Sequence, residues 1–130
     1  MVVLYADGGC NPNPGQGRYG LVVERDETIL TRFSHGIGHA TNNIAEWRGA
    51  IAALDYIEAM KFQQAELRMD SKLVVEQMQG RWRVKHEGLK PYADVGKTLY
   101  AKLRNRGCKL TVRWIPRGQN YEADKMSKAR

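Results

Sequence analysis

Short apolar runs separated by polar turns occupy the first part of the chain. Val2 to Ala6 is apolar and ends at Asp7-Gly8-Gly9, which predicts a strand followed by a turn. Residues 10–18 contain two prolines and two glycines and therefore predict a loop. Tyr19 to Glu24 and Thr28 to Ser34 are extended patterns on either side of a polar turn, which predicts a hairpin.

The spacing of apolar residues then changes to three and four, which is the period of a helix face. The residues of this first face are Ile44, Trp47, Ile51, Leu54 and Ile57. Ala65 to Met69 predicts a strand, and Leu73 to Met78 predicts a second helix that ends at Gly80.

A third helix is predicted to open at Pro91 and to end before Gly107. Its expected apolar face consists of Tyr92, Val95, Leu99 and Leu103. The alternation of Leu110, Val112 and Trp114 with their neighbours predicts a last strand. Asn120 is predicted to cap a terminal helix.

The resulting order of elements is βββαβααβα, which predicts the α/β class. Three leading strands favour an antiparallel meander, and the two later strands, separated by helices, favour parallel additions to the same sheet. We therefore expect a mixed sheet flanked by helices.

Composition limits the class of protein further. The 130 residues suit one domain, 1–130, and the 42% of apolar residues is enough for a packed core. No apolar run approaches the roughly 18 residues of a membrane span, and no signal peptide is visible. We expect a soluble, cytoplasmic, monomeric protein with no membrane partner.

The net charge of +7 favours acidic partners such as nucleic acid or an anionic membrane, although many small proteins are basic. Cys10 and Cys108 lie far apart in the sequence, near no second pair of metal ligands, which argues against a zinc site. Without a secretory signal, we expect both cysteines to be reduced.

Four carboxylates stand at the ends of predicted elements: Asp7, Glu46, Asp70 and Asp124. Each has an ordinary structural explanation: a turn at Asp7, a capping box from Asn43 to Glu46, a helix cap at Asp70-Ser71 and the helix dipole at Asp124. Parallel neighbouring strands would nevertheless place Asp7 and Asp70 side by side at the carboxyl edge of the sheet.

Converging carboxylates repel one another and therefore need a cation. Mg²⁺ takes hard oxygen ligands, and a pair of such ions can clamp a phosphodiester. A basic protein with this cluster would be a phosphodiesterase that acts on nucleic acid.

At this point the segments resemble one family, type 1 ribonuclease H. The resemblance covers nearly the whole chain in the order of the family's elements. The segments that carry it are Tyr5-Ala6-Asp7-Gly8-Gly9, Asn13-Pro14-Gly15, Tyr19-Gly20, Thr41-Asn42-Asn43 with Ala45-Glu46, Met69-Asp70-Ser71 and Glu122-Ala123-Asp124.

The resemblance implies a ribonuclease H-like fold, a five-stranded mixed sheet with helices on both faces. It implies hydrolysis of the RNA strand of RNA/DNA hybrids, leaving 5′-phosphate and 3′-hydroxyl ends. Asp7, Glu46, Asp70 and Asp124 would bind two Mg²⁺ ions, with Mn²⁺ as a possible substitute. Asp7 would bridge the two ions, and Glu46 would also approach the ribose 2′-hydroxyl beside the scissile phosphate.

Recognition of a hybrid requires groups that detect 2′-hydroxyls on one strand. The resemblance assigns this task to the glycine-rich loop and to the start of the first helix, with Thr41 on a phosphate of the DNA strand. The other implied contacts are Gly8, Gly9, Cys10, Asn13, Asn42 and Asn43. The asparagines also fit ordinary roles in loops and caps.

Two departures from the family pattern affect the predicted site. The loop before the last helix, Pro116-Arg117-Gly118-Gln119, has no histidine, as in archaeal-like members, and Arg117 stands in for it. Arginine is always charged, so Arg117 would orient water or phosphate, or help the product leave, and would not act as a base.

The second departure is a missing lysine-rich insertion after the second helix. A short segment, residues 79–91, replaces it and contains Arg81, Trp82 and Lys85. We predict that Arg81 and Lys85 contact phosphates there, against the alternative of a solvated loop. Lys72 could approach the scissile phosphate or lie on a solvated helix surface.

Two alternatives to hybrid hydrolysis remain. The same fold could act on another duplex, such as double-stranded RNA or a DNA junction, or the chain could be a nucleic-acid binding module without catalysis. Four acids at the expected positions argue against the module, because binding alone gives no reason to gather repelling charges. The chain could derive from a longer polypeptide such as a reverse transcriptase, although Met1 and the full set of elements favour a free-standing protein.

Overall fold

A computed structural model describes residues 1–128, and the order of its elements is the predicted one. The strands are β1 (Val2–Cys10), β2 (Gly15–Arg25), β3 (Thr28–Ala40), β4 (Gln64–Met69) and β5 (Lys109–Trp114). The helices are α1 (Asn42–Ala59), α2 (Lys72–Met78), α3 (Lys90–Asn105) and α4 (Tyr121–Ser127), with a short 3₁₀ helix at Arg117–Gln119. In this range no helix is both long enough and apolar enough to cross a membrane.

The five strands form one mixed sheet in the order β3-β2-β1-β4-β5. β1, β2 and β3 are antiparallel, whereas β4 runs parallel to β1 and β5 runs parallel to β4. The predicted meander with parallel additions is therefore confirmed. The register pairs Ala6 with Met69, so Asp7 and Asp70 follow the last paired residues of two parallel strands.

The first three strands are longer than predicted. β1 continues through the expected turn at Gly8 and Gly9, because these residues pair with Tyr19 and Arg18 of β2. Gly8 also allows α1 to approach: a Cβ there would lie 2.2 Å from the carbonyl carbon of Ala45. The strand therefore carries Asp7 directly past the helix that carries Glu46.

Helices cover both faces of the sheet. Leu21 packs in the main core with residues of α1, and its neighbour in β2, Gly20, points to the opposite face and contacts α4. α1 buries Trp47, Leu54 and Ile57 of the predicted face together with a set of smaller residues: Ala45, Gly49, Ala50 and Ala53.

Two residues assigned to apolar faces are exposed. Val95 of α3 is 50% exposed, because the side of this helix that meets the core is formed by Ala93, Gly96 and Leu103. Trp114 at the end of β5 is 44% exposed, although Leu110 and Val112 of the same strand are buried as predicted.

One predicted helix cap is wrong, and a second lacks its expected side-chain bond. Thr41, and not Asn43, caps α1, and its hydroxyl accepts a hydrogen bond from the Ile44 N–H at 3.3 Å. Asn120 occupies the cap position of α4 as predicted, but its side chain makes no capping bond and instead donates to the carbonyl of Ala6 at 2.9 Å. Ser71 does cap α2, where it accepts from the Val74 N–H at 3.3 Å.

We expect Gly20→Ala to displace α4 from the sheet. A Cβ at Gly20 would lie 2.4 Å from the Met126 Cβ and 2.6 Å from the Ala123 carbonyl oxygen, so the helix must shift. The free energy of unfolding should fall by about 1–3 kcal/mol, as is typical of overpacking. Urea denaturation measures this change, and Gly118→Ala, whose Cβ would meet nothing within 4 Å, is the control. Equal stability of the two variants would contradict the close contact between β2 and α4.

Candidate active site

Three of the four predicted carboxylates meet at the end of the parallel strands. Asp7 lies in β1, Asp70 follows β4, and Glu46 reaches them from the fifth residue of α1. Each offers one oxygen, and these oxygens lie within 4.8 Å of one another. Asp7 and Glu46 are buried, while Asp70 is partly exposed.

Asp124 of α4 joins this group from the other face of the sheet. Its carboxylate is hydrogen-bonded to that of Asp7, and it also lies 3.2 Å from the Lys128 Nζ and 3.7 Å from an Arg117 guanidinium nitrogen. All four carboxylates line one cavity of about 660 Å³. The structure therefore brings together the four acids that the sequence singled out.

Few hydrogen-bond donors offset these negative charges. The backbone N–H of Gly8 donates to an oxygen of Asp7 at 2.9 Å and also to a carboxylate oxygen of Glu46. The Ser127 hydroxyl donates weakly to the second oxygen of Asp7 at 3.4 Å and more closely, at 2.8 Å, to the Asp124 carbonyl. The acids at the buried end of the cavity thus outnumber the donors around them.

Both buried acids have a raised pKa, and burial is the largest cause. Burial raises the pKa of Asp7 to about 7, with a further contribution from the charge of Asp70. Burial, followed by the hydrogen bond with Asp7, raises the pKa of Glu46 well above its usual range. Burial opposes a lower pKa at Asp124, but the hydrogen bond with Asp7 and the cations Lys128 and Arg117 outweigh it and lower the pKa.

The chemistry of this donor set fits a divalent cation. Carboxylate oxygens are the hard ligands that Mg²⁺ prefers, and Asp7, Glu46 and Asp70 are close enough to share one ion. Asp124, hydrogen-bonded to Asp7 from the other side, extends the set to a second ion. A cation in the cavity would favour the charged forms of Asp7 and Glu46, which burial disfavours.

The side of the cavity nearest α1 carries several of the predicted substrate contacts. Gly8, Gly9, Cys10, Asn42 and Asn43 all line it. The Cys10 N–H donates to the Asn42 side-chain oxygen at 2.8 Å, which ties the end of β1 to the start of α1. Asn43 is exposed at the rim, where it can contact a ligand.

Asn13 and Thr41 support this side of the cavity without lining it. The Asn13 side-chain oxygen accepts from the Asn42 N–H at 3.0 Å and so holds the glycine-rich loop against α1. The Thr41 oxygen is used as the helix cap, although a hydroxyl that accepts one bond can still donate another.

Lys72 and Arg81 have protein partners that compete with the predicted phosphate contacts. The Lys72 ammonium lies 5.5 Å from the centre of the Trp114 ring, and Lys72 does not line the cavity. The Arg81 guanidinium forms two bonds to Glu76, at 2.6 and 2.8 Å, which neutralise its charge. Lys85 and Trp82 are exposed, so the surface of the 79–91 segment remains available to a ligand.

Sequence reasoning missed four residues that line the cavity: Asn11, Ser71, Ser127 and Lys128. Ser127 and Lys128 reach it because they follow Asp124 by three and four positions on the same side of the helix. That spacing was a usable signal for Lys128, because acid-lysine pairs four residues apart attract on a helix surface. Arg117, which was predicted, also lines the cavity and is 74% exposed.

Comparison with known proteins bears on this arrangement. The family described as RNase H matches residues 1–130. A curated relative, the "Bifunctional protein Rv2228c" of Mycobacterium tuberculosis, is 43% identical over 128 residues, which is 97% of this chain and 34% of the relative. The chain thus spans about a third of the length of the first curated relatives that it matches. "Ribonuclease HI" of Halobacterium salinarum is 33% identical over 97% of this chain and 62% of its own length.

Solved structures show the same similarity. The N-terminal RNase H domain of Rv2228c from Mycobacterium tuberculosis superimposes with a TM-score of 0.87 at 43% identity, covering 97% of this chain and 95% of that chain. LC11-RNase H1, solved in complex with an RNA/DNA hybrid, superimposes with a TM-score of 0.83 at 32% identity, covering 97% and 93%.

Proposed function

Because the chain belongs to the RNase H family, we propose that it hydrolyses the RNA strand of RNA/DNA hybrids with divalent metal ions. The observation that carries this proposal is the convergence of Asp7, Glu46 and Asp70 within 4.8 Å, with Asp124 beside them in one cavity. In a nucleic-acid binding module, nothing would offset the free energy that is needed to bury these acids together. The products would carry 5′-phosphate and 3′-hydroxyl ends.

Asp7, Glu46, Asp70 and Asp124 would hold two Mg²⁺ ions, for which Mn²⁺ could substitute. Such ions, when bound, lower the pKa of water and stabilise the leaving oxygen of a phosphodiester. Asp7 would contribute to holding both ions, since it contacts both Glu46 and Asp124.

The residues of the chain would divide the remaining tasks. The Gly8 N–H keeps the Glu46 carboxylate at the buried end of the cavity, next to Asp7. Gly8, Gly9, Cys10, Asn42 and Asn43 would read the 2′-hydroxyls of the RNA strand, with Asn13 holding Asn42 in place and Thr41 near the DNA strand. Hydroxyl recognition by backbone and amide groups distinguishes RNA from DNA.

The experiment that tests this function compares three labelled duplexes, RNA/DNA, RNA/RNA and DNA/DNA, with Mg²⁺ and with chelator. We expect cleavage of the RNA in the hybrid, dependence on the metal, and loss of cleavage in Asp70→Asn. Cleavage of RNA/RNA would change the substrate class, and binding without cleavage in Mg²⁺ or Mn²⁺ would favour the binding module.

We expect Arg117→Ala to lower kcat by about 10-fold. In both the wild type and the variant, the plot of kcat against pH should show no step of the kind that a catalytic histidine produces. The guanidinium lies 3.7 Å from Asp124, and an arginine side chain can orient water or phosphate but does not serve as a base. Steady-state cleavage rates between pH 6 and 9 measure both effects. Unchanged turnover in Arg117→Ala would exclude a catalytic role for this residue.

The affinity for the hybrid is expected to fall steeply with salt, because phosphate contacts release counterions. Lys85→Met should reduce the slope of log affinity against log salt by about one, as expected for a single phosphate contact. Fluorescence anisotropy at several salt concentrations measures the slope, and Lys102→Met, an exposed lysine of α3, is the control. A salt-independent affinity would contradict the predicted phosphate surface.

A monomeric state and a cytoplasmic location remain predictions.

A further inference from the structure

Trp114 is an exposed aromatic residue that the proposed function leaves without a role. It ends β5 and pairs with Met69 of β4, directly before Asp70. Its ring is 44% exposed, in contrast to Trp47, which is fully buried. Asp70, which Trp114 contacts, lines the cavity, and so does Arg117, three residues after Trp114 in the chain.

Trp114 holds the peptide that carries Asp70. Its indole N–H donates to the Asp70 carbonyl at 3.2 Å, and the next residue, Ile115, donates its N–H to the Met69 carbonyl at 2.9 Å. These two bonds extend the β4-β5 pairing by one step beyond the regular strand. They orient the backbone from which the Asp70 carboxylate projects into the cavity.

Trp114 also contacts a lysine that lies outside the cavity lining, two residues after Asp70 in the chain. The Lys72 ammonium lies 5.5 Å from the centre of the indole ring, a distance at which a cation is attracted to an aromatic face. The pair combines a flat apolar surface with a positive charge on the Asp70 side of the cavity. This combination fits a sugar-phosphate backbone, since an indole packs against the sugar and an ammonium binds the phosphate.

We propose that Trp114 has two roles: the exposed ring, with Lys72, binds the backbone of the hybrid where it leaves the cavity past Asp70, and the indole N–H positions Asp70. The proposal rests on the proposed function. Trp114 is a positioning residue for the reaction, because it acts on the chemistry through Asp70. Its ring is a contact for the substrate.

The first test measures access to the ring. Trp82→Phe leaves two tryptophans, the buried Trp47 and the exposed Trp114, so acrylamide quenching of this variant reports mainly on Trp114. A saturating hybrid, added in chelator, is expected to lower the quenching constant at least twofold. Unchanged quenching at saturation would overturn the contact between the ring and the hybrid.

The second test separates the two roles with matched variants. Trp114→Phe keeps a ring beneath Lys72 but removes the N–H donor, and we expect kcat to fall about 5-fold at unchanged Kd for the hybrid. Trp114→Leu removes both features, and we expect the same fall in kcat together with a Kd about 10-fold weaker. Lys72→Met should weaken binding about 5-fold and lower the salt slope by about one, with Lys102→Met as the control for loss of charge.

Urea denaturation of each variant confirms that it is folded before these comparisons are made. A folded Trp114→Leu chain that binds the hybrid as tightly as the wild type would overturn the substrate contact. Equal kcat in Trp114→Phe and wild type would overturn the positioning of Asp70. A wild-type chain that binds the hybrid but does not cleave it would overturn the proposed function, while the quenching and affinity measurements would still test the surface.

Discussion

Replacing Asp7 with Asn is expected to abolish hydrolysis and, at the same time, to stabilise the metal-free protein above neutral pH. Asp7 contacts Glu46 and Asp124 and lies within reach of Asp70, so no other carboxylate can take its place in both halves of the proposed metal site. Loss of a shared ligand removes several kcal/mol of transition-state stabilisation. We therefore expect cleavage to fall by about 10³-fold or more, since each 1.4 kcal/mol is a factor of ten.

The gain in stability follows from the same geometry. Asn keeps an oxygen that accepts from the Gly8 N–H and adds an NH₂ group that can donate to Glu46 or Asp124. The variant thereby replaces a buried charge by a neutral donor among acids. In chelator at pH 8, the free energy of unfolding should rise by about 1–3 kcal/mol.

Cleavage assays with Mg²⁺ and urea denaturation in chelator measure the two effects on one preparation. Asp94→Asn is the matched control, because Asp94 is an exposed acid on α3 and does not line the cavity. It should leave both cleavage and stability within error of the wild type. An Asp7→Asn chain that retains cleavage would exclude the proposed metal site, and one that loses stability in chelator would contradict the repulsion among the buried acids.

The second large effect concerns the pH dependence of the free energy of unfolding. Bound metal is expected to reverse its direction. Burial raises the pKa of Asp7 from an ordinary value of 3.8 to about 7, and it raises the pKa of Glu46 in the same direction. Between those two pH values the folded chain binds more protons than the unfolded chain. The stability that these protons contribute is fully present below about pH 4 and is lost as the pH rises to 7.

Asp124 has the opposite sign, because its lowered pKa gives stability that is lost as the pH falls. Two buried acids with raised pKa values outweigh one partly exposed acid with a lowered value. In the metal-free protein, the contribution of these three acids to the free energy of unfolding should therefore fall by on the order of 3 kcal/mol between pH 4 and pH 7.5.

Mg²⁺ reverses this trend, because it binds the deprotonated carboxylates and competes with the protons. The stabilisation by a fixed Mg²⁺ concentration should be large at pH 8 and close to zero at pH 5. Thermal melting in chelator and in Mg²⁺ across this range measures it. In Asp7→Asn the pH dependence in chelator should be flatter, and a metal effect that is equal at pH 5 and pH 8 would contradict proton-linked binding.

Much of the fold could be predicted from the sequence because its signals are local. Periods of two and of three to four, together with Pro91 and Gly107, defined the order of all nine strands and α-helices in the described residues 1–128. The ends of the strands were less predictable where the pairing strand is distant in the sequence. Gly8 and Gly9 predict a turn by composition, yet β2 pairs with them and extends the strand to Cys10.

The candidate site could likewise be predicted only in part. Their positions at the ends of predicted elements singled out Asp7, Glu46, Asp70 and Asp124, the resemblance to ribonuclease H assigned them to metal binding, and the structure gathers all four around one cavity. Sequence alone could not assign partners to Lys72 or Arg81. The Trp114 ring that attracts Lys72 lies 42 positions later in the sequence, and the Glu76 that neutralises Arg81 comes five positions earlier on another turn of the chain.

By itself, then, the sequence determined which elements form, in which order, and which acids stand at their ends, because periodicity and residue type act over a few neighbours. The tertiary structure alone decided that Thr41 caps α1, that the Asn120 amide reaches the Ala6 carbonyl, and that Trp114 stays exposed beside Asp70. It also decided the raised pKa of Asp7, since burial and the charge of Asp70 exist only after β1, β4 and α1 have come together.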